Sequence, residues 1–220
     1  ISLSPADMPK EGSHFDLPIA ISLLAALEII PHDMAQETLS LGELSLDGSL
    51  QPIRGALPIS IKANEEGFKG FILPNQNAKE AAIVEGIAVF GVDNIKEVID
   101  FFNKETPLEE TLVDMEAEFY EHLSNPEFDF ADVKGQEFAK RALEVAVSGG
   151  HNLLMIGPPG TGKSMLAKRI PSILPSMSLD EALETTKIHS ICGSLKSHQA
   201  LVARRPFHSP HHTISDAGLL

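Results

Sequence analysis

The chain has 220 residues, of which 43% are hydrophobic, and a formal net charge of −14. This length predicts one or two domains, and the apolar fraction is sufficient for packed cores. No uncharged apolar run reaches about 18 residues and no signal peptide is visible, which argues against a membrane protein. Cys192 is the single cysteine, so an internal disulfide is excluded and a reducing, cytoplasmic setting is expected.

The charge is distributed unevenly along the sequence. Residues 1–125 carry 22 acidic and 7 basic side chains, whereas residues 126–220 carry 9 acidic and 10 basic ones. This contrast favours two domains. The acidic first half is a poor electrostatic partner for nucleic acid, so its charge offers no argument for DNA binding.

Residues 1–102 predict an α/β domain of alternating helices and strands. Asp16 is expected to cap a buried helix at 16–30 that has Pro18 in its first turn, and Asp47-Gly48 is a hairpin turn signal. The other predicted elements are strands at 38–46, 49–53, 71–73 and 87–91 and helices at 59–66, 77–85 and 94–102.

The remainder of the chain divides into a linker and a second domain. Residues 103–127 are rich in glutamate and predict an acidic linker with a short helix at 114–122. Residues 128–220 predict a nucleotide-binding unit. Its expected elements are a buried parallel strand at 152–156 and helices at 137–148, 163–170 and 178–187.

The most informative motif is Gly157-Pro-Pro-Gly-Thr-Gly-Lys-Ser164, which matches the phosphate-binding pattern G-x-x-x-x-G-K-[ST]. Its glycines let the backbone bend tightly and direct N–H groups at a phosphate. Lys163 would place a positive charge near the β- and γ-phosphates, and the Ser164 hydroxyl would ligate Mg²⁺. We therefore predict an ATP and Mg²⁺ site formed by Gly157, Pro158, Pro159, Gly160, Thr161, Gly162, Lys163 and Ser164.

The sequence around this motif resembles the magnesium-chelatase-like AAA+ ATPases, and among them the YifB/ComM family. The resemblance rests on Phe128-Asp-Phe-Ala-Asp-Val-Lys-Gly-Gln136, on residues 149–164, and on Arg205-Pro-Phe-His-Ser-Pro-His-His-Thr213. It implies a truncated P-loop AAA+ domain in which Val133 and Gly135 flank the adenine. It also implies that residues 204–213 begin the helix-2 insert of this AAA+ branch.

The first half resembles the proteolytic domain of Lon-type proteases, an α/β fold of the ribosomal protein S5 domain 2-like type. The matching segments are residues 9–12, 41–48 and 50–55. In this register His14 stands at the position of the nucleophile and Leu57 at that of the catalytic lysine. Ser13 lies one residue before the first position and Lys62 five residues after the second. The resemblance therefore implies a Lon-like domain without the Ser/Lys dyad, and cleavage would require Ser13 to find another base.

Histidines near the end of the sequence raise the possibility of a metal site. Their spacing lacks the H-E-x-x-H arrangement of zinc hydrolases, and Pro210 argues against a helix that would hold two of them. We expect polar loop residues, and the alternative is contact with DNA or a neighbouring subunit, helped by Arg204 and Arg205. The histidines concerned are His198, His208, His211 and His212.

The family resemblance implies an ATP-driven ring motor, a hexamer of identical subunits, that acts on DNA in branch migration or unwinding during natural transformation or recombination. One alternative is a magnesium-chelatase-type subunit that inserts Mg²⁺ into a porphyrin. Another is a nucleotide-binding or interaction fragment that does not hydrolyse ATP. The sequence starts at Ile1 and shows neither an acidic Walker-B strand nor an arginine finger before Leu220. We therefore expect a fragment, and assign hydrolysis to the intact protein.

Overall fold

The structure is a computed structural model that describes residues 12–31, 38–123 and 128–210. Contacts between Cα atoms divide the chain into two units. The first unit comprises Ile1–Glu118 and Leu183–Val202, and the second comprises Phe119–Ala182 and Ala203–Leu220. The predicted domain boundaries at residues 102 and 128 stay predictions, and the grouping of residues 183–202 with the first unit was not expected from the sequence.

The described residues form an α/β structure. The strands are β1 Thr38–Ser40, β2 Glu43–Leu44, β3 Leu50–Gln51, β4 Gly70–Pro74 and β5 Ala88–Val92. The helices are α1 Asp16–Ala26, α2 Ala56–Glu65, α3 Asn75–Ala81, α4 Ile95–Phe102, α5 Met115–Leu123, α6 Glu137–Ser148, α7 Lys163–Arg169 and α8 Leu179–Cys192. Three short 3-10 helices cover Ser13–Phe15, Phe130–Asp132 and Ile170–Ile173. None of these helices is long and apolar enough to cross a membrane.

A parallel sheet with strand order β1-β4-β5 lies at the centre of the first unit. All five residues of the middle strand β4 are buried, as expected for a parallel strand covered on both faces. Phe71 and Leu73 pack in one core cluster with residues of α2 and α3. Ile72 points to the opposite face and packs in a second cluster with residues of α1 and α4. The sheet is thus covered by two helices on each face.

The predicted strand at 38–46 is wrong as a single element, because it divides into β1 and β2 in different sheets. The division falls at Leu41 and Gly42, where the Leu41 N–H donates to the Ile72 carbonyl at 3.0 Å. A Cβ on Gly42 would lie 2.9 Å from Leu50 Cδ2, so a larger residue at this crossing would require the Leu50 side chain to shift. The hairpin itself is confirmed, since β2 pairs antiparallel with β3 around Asp47-Gly48.

The first helix differs from the prediction at both ends. It ends at Ala26 instead of residue 30, and Glu28 just beyond it has a left-handed φ of 56°. Asp16 is the first helical residue and not the cap. Its carboxylate instead accepts a hydrogen bond from the Leu44 N–H at 3.3 Å, which ties the helix to β2.

The second unit contains α6, α7 and the two 3-10 helices at Phe130–Asp132 and Ile170–Ile173. Its core cluster consists of buried apolar side chains from these elements and from Val133, which follows the first 3-10 helix. The four residues are Phe130, Val133, Leu143 and Leu166. The helices predicted at 137–148 and 163–170 are therefore present within one residue at each end.

The parallel strand predicted at 152–156 is wrong for the described residues, since none of the five is in a strand. Leu154 and Ile156 are 82% and 87% exposed, and only Met155 packs against the core cluster. A parallel strand requires a neighbouring strand to hydrogen-bond, and the described part of the second unit contains no other strand. The apolar run is therefore not paired with a strand among the described residues.

Candidate phosphate-binding site

The motif at residues 157–164 forms a loop that leads into α7. Gly160 and Gly162 have φ values of 82° and 85°, in the left-handed region where glycine is free of the Cβ penalty. Gly162 is the N-cap residue of α7, and no side chain caps this helix start. The first N–H groups of α7 are therefore without the side-chain acceptor that many helices supply, which is the arrangement that suits an external anion.

Lys163 places its ammonium group inside this loop. Its Nζ donates to the carbonyl oxygens of Gly157 and Pro158, each at 2.8 Å, and to Thr161 Oγ1 at 3.3 Å. The Thr161 hydroxyl in turn donates to the Pro158 carbonyl at 2.9 Å. A bound phosphate would replace these carbonyl oxygens as the acceptor for the three N–H donors of the Lys163 ammonium group. The oxygens of the loop thus hold the lysine at the motif.

Ser164 is the second residue of α7, within its first turn, and is exposed. Its hydroxyl makes no hydrogen bond to the residues that the structure describes, so its oxygen is available to a cation. Mg²⁺ prefers oxygen ligands and retains several waters, so one hydroxyl together with phosphate oxygens is a suitable donor set. The residues present therefore fit both a nucleotide phosphate and its Mg²⁺.

The segment predicted to flank the adenine lies against the phosphate loop. Gln136 Nε2 donates to the Thr161 carbonyl oxygen at 3.0 Å. Gly135 and Gln136 have left-handed φ values of 67° and 57°, which turn the chain sharply before α6. The Val133 side chain is buried in the core cluster of the second unit, so contact with a base would involve its backbone.

The positions that match the Lon dyad do not form one. The Ser13 hydroxyl donates to a Glu43 carboxylate oxygen. Leu57, at the lysine position, is fully buried. Lys62 is exposed and pairs with Glu66 at 2.8 Å and with Glu65 at 3.3 Å, and its hydrogen bonds to Glu66 and then Glu65 raise the pKa of the amine. Within the described part of the chain, the Ser13 hydroxyl makes its hydrogen bond to Glu43 and none to a lysine.

Sequence reasoning missed a buried polar cluster in the first unit. Glu80 is 4% exposed and accepts hydrogen bonds from the Leu57 N–H at 2.9 Å, from Asn77 Nδ2 at 3.3 Å and from the Ser190 hydroxyl. Asn77 also bonds both backbone polar groups of Ile53, each at 2.9 Å. The only available signal was the pair of polar residues three apart in the alanine-rich helix α3, and that pattern is equally typical of a solvent-facing surface.

The predicted histidine cluster is only partly described. His198 has a left-handed φ of 61°, and its N–H donates to the Gln76 carbonyl at 3.1 Å within the first unit. His208 belongs to the second unit, and His211 and His212 lie outside the described residues. The residues that the structure does describe contain no group of three or more potential metal ligands.

Comparison with known proteins gives matches along the whole chain. A family model described as magnesium chelatase, subunit ChlI, matches residues 129–220, and a second, described as subunit ChlI of Mg-chelatase, matches residues 1–77. YifB of Escherichia coli is 42% identical over 98% of this chain, and competence protein ComM of Haemophilus influenzae is 38% identical over 100% of it. The chain belongs to the magnesium-chelatase-like YifB/ComM family.

This YifB/ComM chain spans less than half the length of those relatives, 41% of YifB and 43% of ComM. Its family membership makes it an AAA+-type protein. The likeness to Lon is narrower. The archaeal Lon protease of Thermococcus kodakarensis is 31% identical over 107 residues, which are 47% of this chain and 16% of that protease. This partial match supports the general α/β fold of the chain.

Proposed function

We propose that this YifB/ComM-family chain binds ATP and Mg²⁺ at residues 157–164. The observation that carries the proposal is the position of Lys163, whose ammonium group is held by three oxygens of the loop that would surround the phosphates. The Ser164 oxygen would ligate Mg²⁺, and the bound ion would neutralise charge on the β- and γ-phosphates. The backbone at Val133 and Gly135 would flank the adenine, as the family resemblance implies.

Binding and hydrolysis are separate proposals. The loop would supply the phosphate and metal contacts, whereas hydrolysis in P-loop ATPases also needs an acidic residue that orients water and commonly an arginine finger. We therefore assign ATP hydrolysis to the complete protein, assembled as a homo-oligomeric ring, expected to be a hexamer. We also propose a reducing, cytoplasmic location, as the single cysteine of the sequence leads us to expect.

The activity that we propose for the complete protein is a DNA-acting motor. The support is family membership together with the name of the Haemophilus relative, competence protein ComM. A magnesium-chelatase-type role is the second candidate, and the two family-model descriptions favour it. Stimulation of ATPase activity separates them, because DNA should stimulate a DNA motor and a porphyrin should stimulate a chelatase subunit. Stimulation by the porphyrin alone would reject the motor.

Substitution of Ser164 tests the metal part of the site. The Ser164→Ala variant should lose the Mg²⁺-dependent part of ATP affinity while retaining the affinity measured with EDTA, since only the metal ligand is removed. Ser148 offers a matched control, because its hydroxyl bonds the Glu144 carbonyl at 2.7 Å on α6. Equal Mg²⁺ enhancement in Ser164→Ala and in Ser148→Ala would contradict the assignment.

We also propose that the chain is not a protease. The support is the burial of Leu57 at the lysine position and the engagement of the Ser13 hydroxyl by Glu43. Incubation with unfolded casein should give no cleavage. Cleavage that Ser13→Ala abolishes would overturn this proposal.

A further inference from the structure

The segment Phe128–Gln136 is held at both ends. Its start contacts α7, and its end contacts the phosphate loop. Its only regular structure is the 3-10 helix Phe130–Asp132, so its position depends on contacts with neighbouring elements. Arg169, at the end of α7, contacts the start of the segment, and Gln136 contacts the phosphate loop at its end. All of these residues belong to the second unit.

Arg169, at the end of α7, contacts four neighbouring groups. Its Nε donates to the Asp129 carbonyl at 3.1 Å, and its Nη2 lies 3.5 Å from Asp132 Oδ2. Its guanidinium carbon is 5.3 Å from the ring centroid of Phe128, within range of a cation–π contact. Nη1 donates back to the Met165 carbonyl of its own helix at 3.3 Å. The side chain is only 16% exposed, so these contacts are largely shielded from solvent.

The planar guanidinium group suits this role because it donates in fixed directions to several acceptors at once. A lysine in its place could satisfy one or two of them. The Phe130 N–H also donates to Ser172 Oγ at 3.0 Å, in the 3-10 helix that follows α7. The start of the segment is therefore fixed to the end of α7 and to the turn after it.

At the other end, Gln136 links the segment to the phosphate loop itself. Its Nε2 donates to the carbonyl oxygen of Thr161, the residue whose hydroxyl also accepts from Lys163. The left-handed φ values of Gly135 and Gln136 bring this side chain to the loop. A nucleotide that contacts both the loop and the segment would bind to two surfaces held at a fixed separation.

We propose that Arg169 and Gln136 are positioning residues for the nucleoside part of the ligand, a role that rests on the proposed ATP site. Their proposed role is to hold the two binding surfaces together, with no contact of their own to phosphate or base. By holding Phe128–Gln136 against the phosphate loop, they let the base and the triphosphate bind simultaneously without an added ordering cost. Their removal should therefore weaken binding of ATP but not binding of a triphosphate that has no base.

The test compares the dissociation constants of Mg²⁺-ATP and of inorganic tripolyphosphate with Mg²⁺, measured on the purified protein. Arg169→Ala and Gln136→Ala should each raise the constant for ATP by about tenfold, the effect of one well-formed interaction, and change that for tripolyphosphate by less than about twofold. The control is Arg141→Ala, which removes an arginine whose ion pair to Glu144 at 3.0 Å lies on the exposed surface of α6. It should change neither constant.

Arg169 is largely buried, so Arg169→Ala can destabilise the second unit. Thermal unfolding of each variant shows whether it is destabilised. If Arg169→Ala is, then Arg169→Lys and Gln136→Ala, a change at an exposed residue, allow the two ligands to be compared in folded protein. Equal losses for both ligands, or no loss for either, would overturn the positioning role. A wild-type protein that binds neither ligand would instead reject the proposed ATP site.

Discussion

The ammonium nitrogen of Lys163 lies 2.8 Å from the carbonyl oxygen of Gly157, so the motif's lysine is bonded to the motif's first residue. This contact closes the loop on itself. The amine is held by neutral carbonyl oxygens, which a charged phosphate oxygen would replace with a stronger charge-assisted bond. The loop thus places its cation at the site where the proposed ligand has the most negative charge.

The left-handed glycine at the start of α7 predicts a specific sensitivity to substitution. At Gly162, with φ of 85°, an alanine would be strained by about 1–2 kcal/mol. Gly162→Ala should therefore lower the free energy of unfolding of the second unit and weaken ATP binding. Gly157→Ala is the matched control, because Gly157 is outside the left-handed region and its added methyl would meet only Thr161 Oγ1 at 3.4 Å. Urea denaturation that ranks Gly157→Ala as the costlier change would contradict this account.

The buried amide of Asn77 predicts a large loss of stability in the first unit. Asn77→Ala leaves the N–H and the carbonyl of Ile53 without their partners, and each unsatisfied buried group costs about 1–3 kcal/mol. Asn75→Ala is the control, since Asn75 makes one exposed hydrogen bond to Asp93 at 3.3 Å and should cost less than about 1 kcal/mol. Equal denaturation midpoints for the two variants would show that the buried contacts carry no stability.

Restoring a lysine at the Lon position should not restore proteolysis. Leu57 is fully buried, so Leu57→Lys places an amine in an apolar core at a cost of several kcal/mol. The Ser13 hydroxyl meanwhile stays bonded to Glu43. We expect a lower melting temperature and no casein cleavage. A variant that melts like the wild type and cleaves casein would show that the dyad position is accessible.

The acidic side chain of Glu181 predicts a pH-dependent contribution to the stability of the second unit. Its carboxylate accepts from the Ser178 N–H at 2.9 Å and pairs with Arg205 at 3.0 Å. These contacts, the backbone bond first, hold the pKa of Glu181 below its ordinary value of 4.5. A lowered pKa in the folded state stabilises the fold above the unfolded pKa, and that contribution disappears as the pH falls through the folded pKa.

The variant Glu181→Gln isolates this contribution. The difference in melting temperature between wild type and variant should be greatest at neutral pH and should shrink as the pH falls below about 4.5. Arg205→Ala removes the second cause, so its melting-temperature difference should also shrink on acidification, beside a pH-independent loss of the Arg205 bond to the Pro175 carbonyl. A melting-temperature difference that grows on acidification would contradict the linkage.

The sequence predicted elements well where one local signal decided the outcome. The parallel strands at 71–73 and 87–91 follow from short apolar runs, and β4 and β5 lie within one residue of them. The helix at 94–102 is likewise confirmed, with the Asn94 side chain accepting from the Lys96 N–H at its start. These features are encoded by residues close together in the chain.

The errors occur where distant residues decide the structure. The strand expected at 152–156 depends on a neighbouring strand, which no local pattern can supply. The division of residues 38–46 depends on Leu50 approaching Gly42 and on Ile72 bonding Leu41. The contact of Ser190 with Glu80 joins residues 110 positions apart, so the assignment of residues 183–202 to the first unit could not be read from composition.

The site was predicted as a motif, and its internal geometry was not. Residue types and spacing pointed to Lys163 and Ser164, because the pattern of a phosphate loop is local. Arg169 and Gln136 contact neighbouring segments, but no sequence pattern distinguishes these two residues from ordinary surface residues. Their contribution became visible only once the distances were known.

The most direct test of the central proposal is the affinity of Lys163→Ala for a fluorescent ATP analogue, compared with that of Lys168→Ala. Both variants remove one lysine from α7, but Lys168 is exposed and makes no hydrogen bond or ion pair among the described residues. Loss of a charge-assisted phosphate contact should weaken binding by at least about tenfold in Lys163→Ala. Lys168→Ala should bind like the wild type. Wild-type affinity in Lys163→Ala would contradict ATP binding at residues 157–164.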